Sequence, residues 1–322
     1  MRVKYFRNLL FLFCCAILFS AGLAACFDSS VPRSVKTAIV ATQKKFAPDK
    51  RVALFEVRSH RRQDSLIISG ESNLPDAVNA LLQELDRQQI TYINRIRVLP
   101  DPALNGKVNG VVNVSVANIR AAPKHSAELA TQSTLGTGLK VYKNEGDWYL
   151  VQTPDDYLGW LDKGALVLMN PKDYQGWLDQ NKVIFLKDYG FVLDATTNQA
   201  GRLGDLVAGN ILADAGKTEG FRAVIYPDGR RGFIPAEETE DLPGWLSRQN
   251  SLNIPAIINT ALDYIGRPYL WGGTSGKGMD CSGFTKMVYF MNGLVIPRDA
   301  SQQVHAGIAV SADSTFSGLQ TG

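Results

Sequence analysis

The sequence predicts a multidomain α+β protein: a small α/β unit, two small β-barrels in tandem, and a C-terminal α+β segment opened by a helix and a glycine-rich loop. Three observations carry this. The chain of 322 residues is too long for one core of ordinary size. Residues 111–238 hold an internal duplication of short strand-like stretches with dense turn signals. On both sides of it, apolar residues recur at helical intervals. Hydrophobic residues make up 45% and charged residues 20%, which is ample material for several cores.

Residues 1–25 stand apart. Arg2, Lys4 and Arg7 precede the apolar run LLFLFCCAILFSAGLAA, and no acid occurs before Cys26. A basic start, a short apolar run and small residues at the cleavage point describe a secretory signal. The run is short for the ~20 residues that a membrane span needs. Leu23-Ala24-Ala25-Cys26 resembles the lipobox of bacterial lipoproteins, which implies lipidation of Cys26 and export as a membrane-anchored protein. Phe27 stands where the Asp-based inner-membrane retention signal would be, so the resemblance favours the outer membrane in a Gram-negative cell. The three basic residues account for the formal net charge of +3, leaving the rest neutral. A nucleic-acid partner is excluded, because that surface needs a basic surplus on the folded part.

Residues 33–105 read as the α/β unit. Val35 to Phe46 is helical in character, while Val52–Val57, Leu66–Ser69 and Tyr92–Leu99 read as strands. The stretch NLPDAVNALLQELDRQ is an amphipathic helix with Asn73 or Asp76 near its start and Ala77, Leu81, Leu82 and Leu85 on one face. No catalytic groups cluster here, and the unit reads as a spacer or docking module. The duplication gives one barrel over 108–170 and a divergent second over 180–240. Each copy has an apolar–glycine turn (Leu135-Gly136, Ala208-Gly209) and a closing glycine–aromatic pair (Gly159-Trp160, Gly232-Phe233). Trp148, Trp160 and Phe233 read as core.

From 251 to 322 the pattern changes. In SLNIPAIINTALDYIG, Pro255 suits a first helical turn, Ile257, Ile258, Ala261, Leu262 and Ile265 make an apolar face, and Gly266 with Pro268 ends the helix. Next comes YLWGGTSGKGMDCSGF. Its glycines forbid a helix before Asp280, and Phe284, Val288 and Met291 then recur at helical spacing. Asp280 is therefore the expected N-cap, with Cys281 in the first turn, where free N–H groups favour a thiolate. Cys14 and Cys15 leave with the signal and Cys26 is acylated, so Cys281 has no disulfide partner in an oxidising compartment. A lone cysteine is ordinarily a buried, inert one. Here the flexible loop and the helix mouth point to a nucleophile that a substrate backbone can approach. One thiol and three scattered histidines, His60, His125 and His305, supply no zinc-ligand spacing, and no cofactor is implied.

At these residues a family becomes recognisable. RPYLWGGTSGKGMDCSGF followed by IPRDASQQ resembles the NlpC/P60 cysteine peptidases, papain-like α+β enzymes that cut peptidoglycan stem peptides. NIRAAP followed by GDWYLVQTPDDYLGWL resembles a bacterial SH3 (SH3b) domain, and the copy from Val183 a divergent second one. With the lipobox, this arrangement is similar to γ-D-glutamyl-L-diamino acid endopeptidases of the dipeptidyl-peptidase VI type. The resemblance implies Cys281 as nucleophile, flanked by Asp280 and Ser282 at substrate-contacting positions. It implies that Asp299 holds the free amine of the substrate's L-Ala, with Glu128 and Tyr157 of the first SH3b unit walling the cleft. For Glu128 a solvated surface acid is the plain alternative. The partners implied are stem peptides bearing L-Ala-γ-D-Glu-diamino acid, read by a monomer.

The family's base is a histidine on a strand after the cysteine. His305 continues RDASQQV, which in the family precedes that strand, so the resemblance does not assign it as the base. The expectation is an incomplete peptidase domain, a C-terminally truncated and inactive chain, and an exposed apolar face around YFMNGLVI. Two other readings stay open: a non-catalytic peptidoglycan-binding lipoprotein, and a papain-like amidase or acyltransferase on another substrate.

Overall fold

The computed structural model describes residues 31–250 and 253–310, with Thr315 and Gly318; the secretory-signal and lipobox readings, Cys26 included, lie outside the described residues. The architecture is multidomain α+β. The N-terminal unit runs α1 (Arg33–Phe46), β1 (Phe55–Arg62), β2 (Ser65–Ser72), α2 (Pro75–Arg87) and β3 (Ile93–Val98). β1 and β2 form an antiparallel hairpin, and β3 adds in parallel to β2 after the α2 crossover. The expected apolar face of α2 is inside: Ala77, Leu81 and Leu85 are buried with Val78, against Val35 and Ile39 of α1 and Ile68 of β2. Burying each leucine contributes roughly 1.5–3 kcal/mol. Asn73 does not cap this helix. Its Oδ1 accepts from Leu54 N–H at 2.8 Å, and the helix opens instead with Leu74 and Pro75.

The duplication is real at the level of topology. The first copy comprises β4 (Asn109–Val112), β5 (Val116–Arg120), β6 (Leu129–Thr134), β7 (Gly138–Glu145), β8 (Trp148–Gln152), β9 (Leu158–Asp162) and β10 (Leu166–Met169). After α3 (Pro171–Leu178), the second comprises β11 (Lys182–Phe185), β12 (Tyr189–Leu193), β13 (Arg202–Val207), β14 (Ile211–Thr218), β15 (Phe221–Ile225), β16 (Arg231–Pro235) and β17 (Thr239–Asp241). The strand orders are β10-β4-β7-β8-β9-β5-β6 and, read from its other edge, β17-β11-β14-β15-β16-β12-β13. Strand for strand these are the same. Both are seven-stranded sheets of SH3-like layout, and among the described residues the pairing leaves their order open rather than closing a barrel. Trp148 is buried, whereas Trp160 and Phe233 are only partly covered.

Equivalent glycines mark where the units meet. Gly136 has φ +84°, and a Cβ there would lie 2.1 Å from the Ile211 carbonyl oxygen of the second sheet. No side chain fits that approach. The same junction carries Ile211 N–H to Leu135 O at 2.9 Å and Asn210 Nδ2 to Ser115 O at 2.8 Å. The N-terminal unit docks on the first sheet just as firmly: Leu99 packs with Tyr142 and Leu150, and Glu71 pairs with Lys143.

The C-terminal segment holds α4 (Leu242–Leu246), α5 (Ile254–Asp263), the short pair β18 (Thr274–Ser275) and β19 (Gly278–Met279), α6 (Cys281–Met291) and α7 (Ala300–Gln303). The expectation of an exposed apolar face on α6 is overturned. Met287, Val288 and Met291 are buried against Ile257, Tyr264 and Ala208, and Trp245 of α4 donates its indole N–H to Met291 O at 3.2 Å. The open apolar face belongs to α5, where Leu262 is 55% and Ile265, just beyond the helix, 75% exposed. Among the described residues no helix is long and apolar enough to cross a membrane.

Candidate active site

Cys281 is the first residue of α6 and its thiol is exposed. The local sequence explains the placement. Asp280 caps the helix, its Oδ1 accepting from Gly283 N–H at 2.7 Å, while Oδ2 accepts from Gly272 N–H at 3.0 Å and so folds the glycine loop back onto the helix start. That loop lies on the edge of the first SH3-like sheet. Gln132 Oε1 accepts from Thr274 N–H at 2.9 Å and from Ser275 Oγ at 3.0 Å. Gly272 has φ +81°, and a Cβ there would lie 2.1 Å from Leu129 O. At Gly272 the loop thus admits the backbone of the neighbouring sheet.

Arg298 is the bolt behind the thiol. It is 1% exposed, and its guanidinium donates to Asp280 Oδ2 at 2.6 Å, Asp280 Oδ1 at 3.1 Å, Ser282 Oγ at 2.8 Å and Thr131 Oγ1 at 3.1 Å. Burial pushes the Asp280 carboxyl up, but the Arg298 bonds and the two backbone N–H groups outweigh it and hold the carboxyl below its ordinary value. Asp280 and Ser282, read from the sequence as flanking substrate contacts, are thus buried with their side-chain oxygens bonded to protein.

Asp299, the next residue, sits at a three-way junction. Its Oδ2 accepts from Tyr157 Oη at 3.1 Å and from Arg51 Nη1 at 2.8 Å. Burial first, then the Asp299 charge, pushes the Tyr157 phenol well above its usual value, so it stays a donor. The loop bearing Tyr157 is tied to α6 by Lys286, whose Nζ donates to Asp155 Oδ2 at 2.9 Å and to Ile296 O at 2.8 Å. Glu128 reaches the glycine loop too, its Oε1 accepting from Trp271 Nε1 at 2.8 Å in an exposed contact.

Comparison with known proteins agrees with this arrangement. A model of the NlpC/P60 family matches residues 266–318, and a model of the bacterial dipeptidyl-peptidase SH3 domain matches 119–166. This is an NlpC/P60 segment of the cysteine-peptidase type behind a dipeptidyl-peptidase SH3 domain. The chain is 29% identical over 198 residues to dipeptidyl-peptidase 6 of Lysinibacillus sphaericus, covering 60% of this chain and 73% of that protein. It is 31% identical over 198 residues to the γ-D-glutamyl-L-lysine dipeptidyl-peptidase of Bacillus subtilis, covering 59% of this chain and 62% of that protein. A crystal structure of an NlpC/P60 family protein from Bacillus cereus shares the fold, with a TM-score of 0.56 and 23% identity over 66% of this chain and 81% of that one.

Shared bonds thus join Asp280 to Ser282 on either side of Cys281 and Asp299 to Tyr157 across the two units, with Glu128 joined to the glycine loop through Trp271. Among the described residues no histidine hydrogen-bonds to the thiol. His305 follows α7, exposed; His125 packs edge-on against Trp148 at 5.0 Å; His60 lies on the β1–β2 hairpin. Sequence reasoning passed over Arg51, Lys286 and Arg298. Arg298 had one signal, its place in the quoted IPRDASQQ motif; the other two had none, since a single cation in a solvated stretch reads as surface.

Proposed function

We propose that the chain hydrolyses the γ-D-glutamyl–diamino acid bond of peptidoglycan stem peptides bearing a free N-terminal L-Ala, with Cys281 as nucleophile. The observation that carries this is the exposed Cys281 at the mouth of α6 in a segment that also presents Asp299, a carboxylate that a tyrosine of the SH3 domain holds across the domain boundary. A carboxylate at the closed end of a cleft pairs with an ammonium and rejects an acylated chain. Two relatives, the γ-D-glutamyl-L-lysine dipeptidyl-peptidases of Bacillus cereus and Bacillus subtilis, support the choice of bond. In this reading the thiolate attacks the amide carbonyl, the diamino acid leaves with a proton on its amine, and water resolves the thioester. Asp299 and Tyr157 receive the ammonium end, Glu128 and Trp271 line the approach, and Asp280 and Ser282 act by holding the helix start.

Among the described residues no histidine is bonded to Cys281, so this reading assigns no general base; dipeptide release that is lost in His305→Ala would assign that role to His305. Binding is therefore the decisive test. L-Ala-γ-D-Glu should protect Cys281 from iodoacetamide, read by peptide mass spectrometry, at much lower concentrations than the N-acetylated dipeptide needs. Equal protection by both would end the amine-reading assignment. We also propose a monomer exported and anchored through lipidated Cys26, supported by the Leu23–Cys26 pattern. Labelled palmitate should enter the chain and be lost in Cys26→Ser.

A further inference from the structure

Arg51 comes from the unit to which the sequence assigned no chemistry. It lies in the link between α1 and β1, beside the loop that carries Tyr157. Its carbonyl accepts from Leu158 N–H at 2.7 Å, and the carbonyl of Val52 accepts from Gln152 Nε2 at 2.9 Å, so the link is pinned on the β8–β9 turn. The side chain bridges two carboxylates. Nε and Nη2 grip Asp49 at 2.8 and 2.7 Å, while Nη1 donates to Asp299 Oδ2 at 2.8 Å and to Ser301 Oγ at 2.9 Å. Gln302 Nε2 returns a bond to Asp49 Oδ2 at 3.1 Å. Both members of the pair therefore hold the segment that presents Asp299.

The charges have a consequence for ligand choice. A guanidinium against Asp299 would by itself cancel the attraction for a substrate ammonium. Asp49 prevents this. Arg298 pairs with Asp280 and also stands 3.7 Å from Asp299 Oδ1, and the five groups Asp49, Arg51, Asp280, Arg298 and Asp299 together retain one net negative charge. Arg51 and Tyr157 take two bonds on Oδ2 of a carboxylate that can accept about four, which leaves capacity for a further donor.

We propose that Asp49 and Arg51 of the N-terminal unit are positioning residues that set the amine selectivity of the cleft: Arg51 orients the Asp299 carboxylate, and Asp49 offsets the charge of Arg51 so that one ammonium is still attracted. This rests on the reading that Asp299 receives the ligand's ammonium. It extends the site to a third unit and gives residues 33–98 a role in specificity.

The test measures apparent Kd for L-Ala-γ-D-Glu and its N-acetyl form by protection of Cys281 from alkylation in the full chain. Wild type must first prefer the free amine; if it does not, the reading of Asp299 fails and this proposal with it, a result distinct from those below. Asp49→Asn and Arg51→Met should each weaken the free-amine ligand about fivefold, the scale of one partly exposed charge contact, with the N-acetyl form unchanged. Arg51→Lys should recover part of the loss. The unchanged N-acetyl affinity doubles as the folding control. Equal weakening of both ligands would show a merely structural role and overturn the proposal. So would wild-type preference in both variants, or tighter free-amine binding in Arg51→Met, which would make Arg51 a competitor for the site.

Discussion

Replacing Arg298 by methionine removes the cation that joins the first SH3-like sheet, the glycine loop and the start of α6. Four bonds go at once, to Asp280 Oδ1 and Oδ2, Ser282 Oγ and Thr131 Oγ1. Methionine roughly fills the volume, so the cost is electrostatic: Asp280, 7% exposed, loses its counter-ion and keeps the neutral donors, the Gly283 and Gly272 N–H groups and the Ser282 hydroxyl. Breaking a buried pair from one side costs about 3–5 kcal/mol. At 1.36 kcal/mol per decade, the lower figure already makes local opening about a hundredfold more frequent. The assay is hydrogen exchange by mass spectrometry, comparing peptides across 270–290 with peptides in the second SH3-like sheet. Exchange should accelerate about a hundredfold in the former and little in the latter. Asp280→Asn added to Arg298→Met should recover part of the loss, because the stranded charge is gone while Asn still caps the helix. An acceleration below tenfold at 270–290, or a double variant worse than the sum of the singles, would refute the bolt argument.

Other outcomes test neighbouring contacts. Lys286→Met should cost about 2 kcal/mol, the scale of hydrogen bonds to a charged group, and should speed exchange at Tyr157 by freeing the Asp155 loop. Gly272→Ala should destabilise the loop by about 2 kcal/mol or more, seen as a lowered unfolding midpoint, because φ +81° and the Leu129 carbonyl leave no room for a methyl group. The Asp49–Arg51 contact has a defined pH window. The side-chain bond from Arg51 lowers the Asp49 pKa from 3.8 to about 2. A depressed folded value means the stabilisation is present above the unfolded pKa and is lost as pH falls through the folded one. Corrected exchange at Leu158 N–H should thus be flat from pH 7 to about 4.5 and rise toward pH 2, with Asp49→Asn removing the rise.

What the sequence by itself determined is local. The 3.6-residue spacing of Ala77, Leu81 and Leu85 forecast α2, the matched glycine turns forecast two copies of one strand order, and Asp280 before a new apolar period forecast both the cap and an accessible Cys281. Each of these signals is complete within a short window, because backbone geometry and capping depend on near neighbours. The misses share a different cause. The apolar face expected to lie open on α6 is packed and the open one is on α5, since only packing decides which of two similar faces finds a partner. Arg51 meets Asp299 across 248 residues, Lys286 meets Asp155 across 131, and Arg298 meets Thr131 across 167. A charged side chain in sequence is the same whether it ends in water or in a buried pair. The docking of the N-terminal unit, the first SH3-like sheet and the C-terminal segment decided that, and with it which charged side chains end in ion pairs between units.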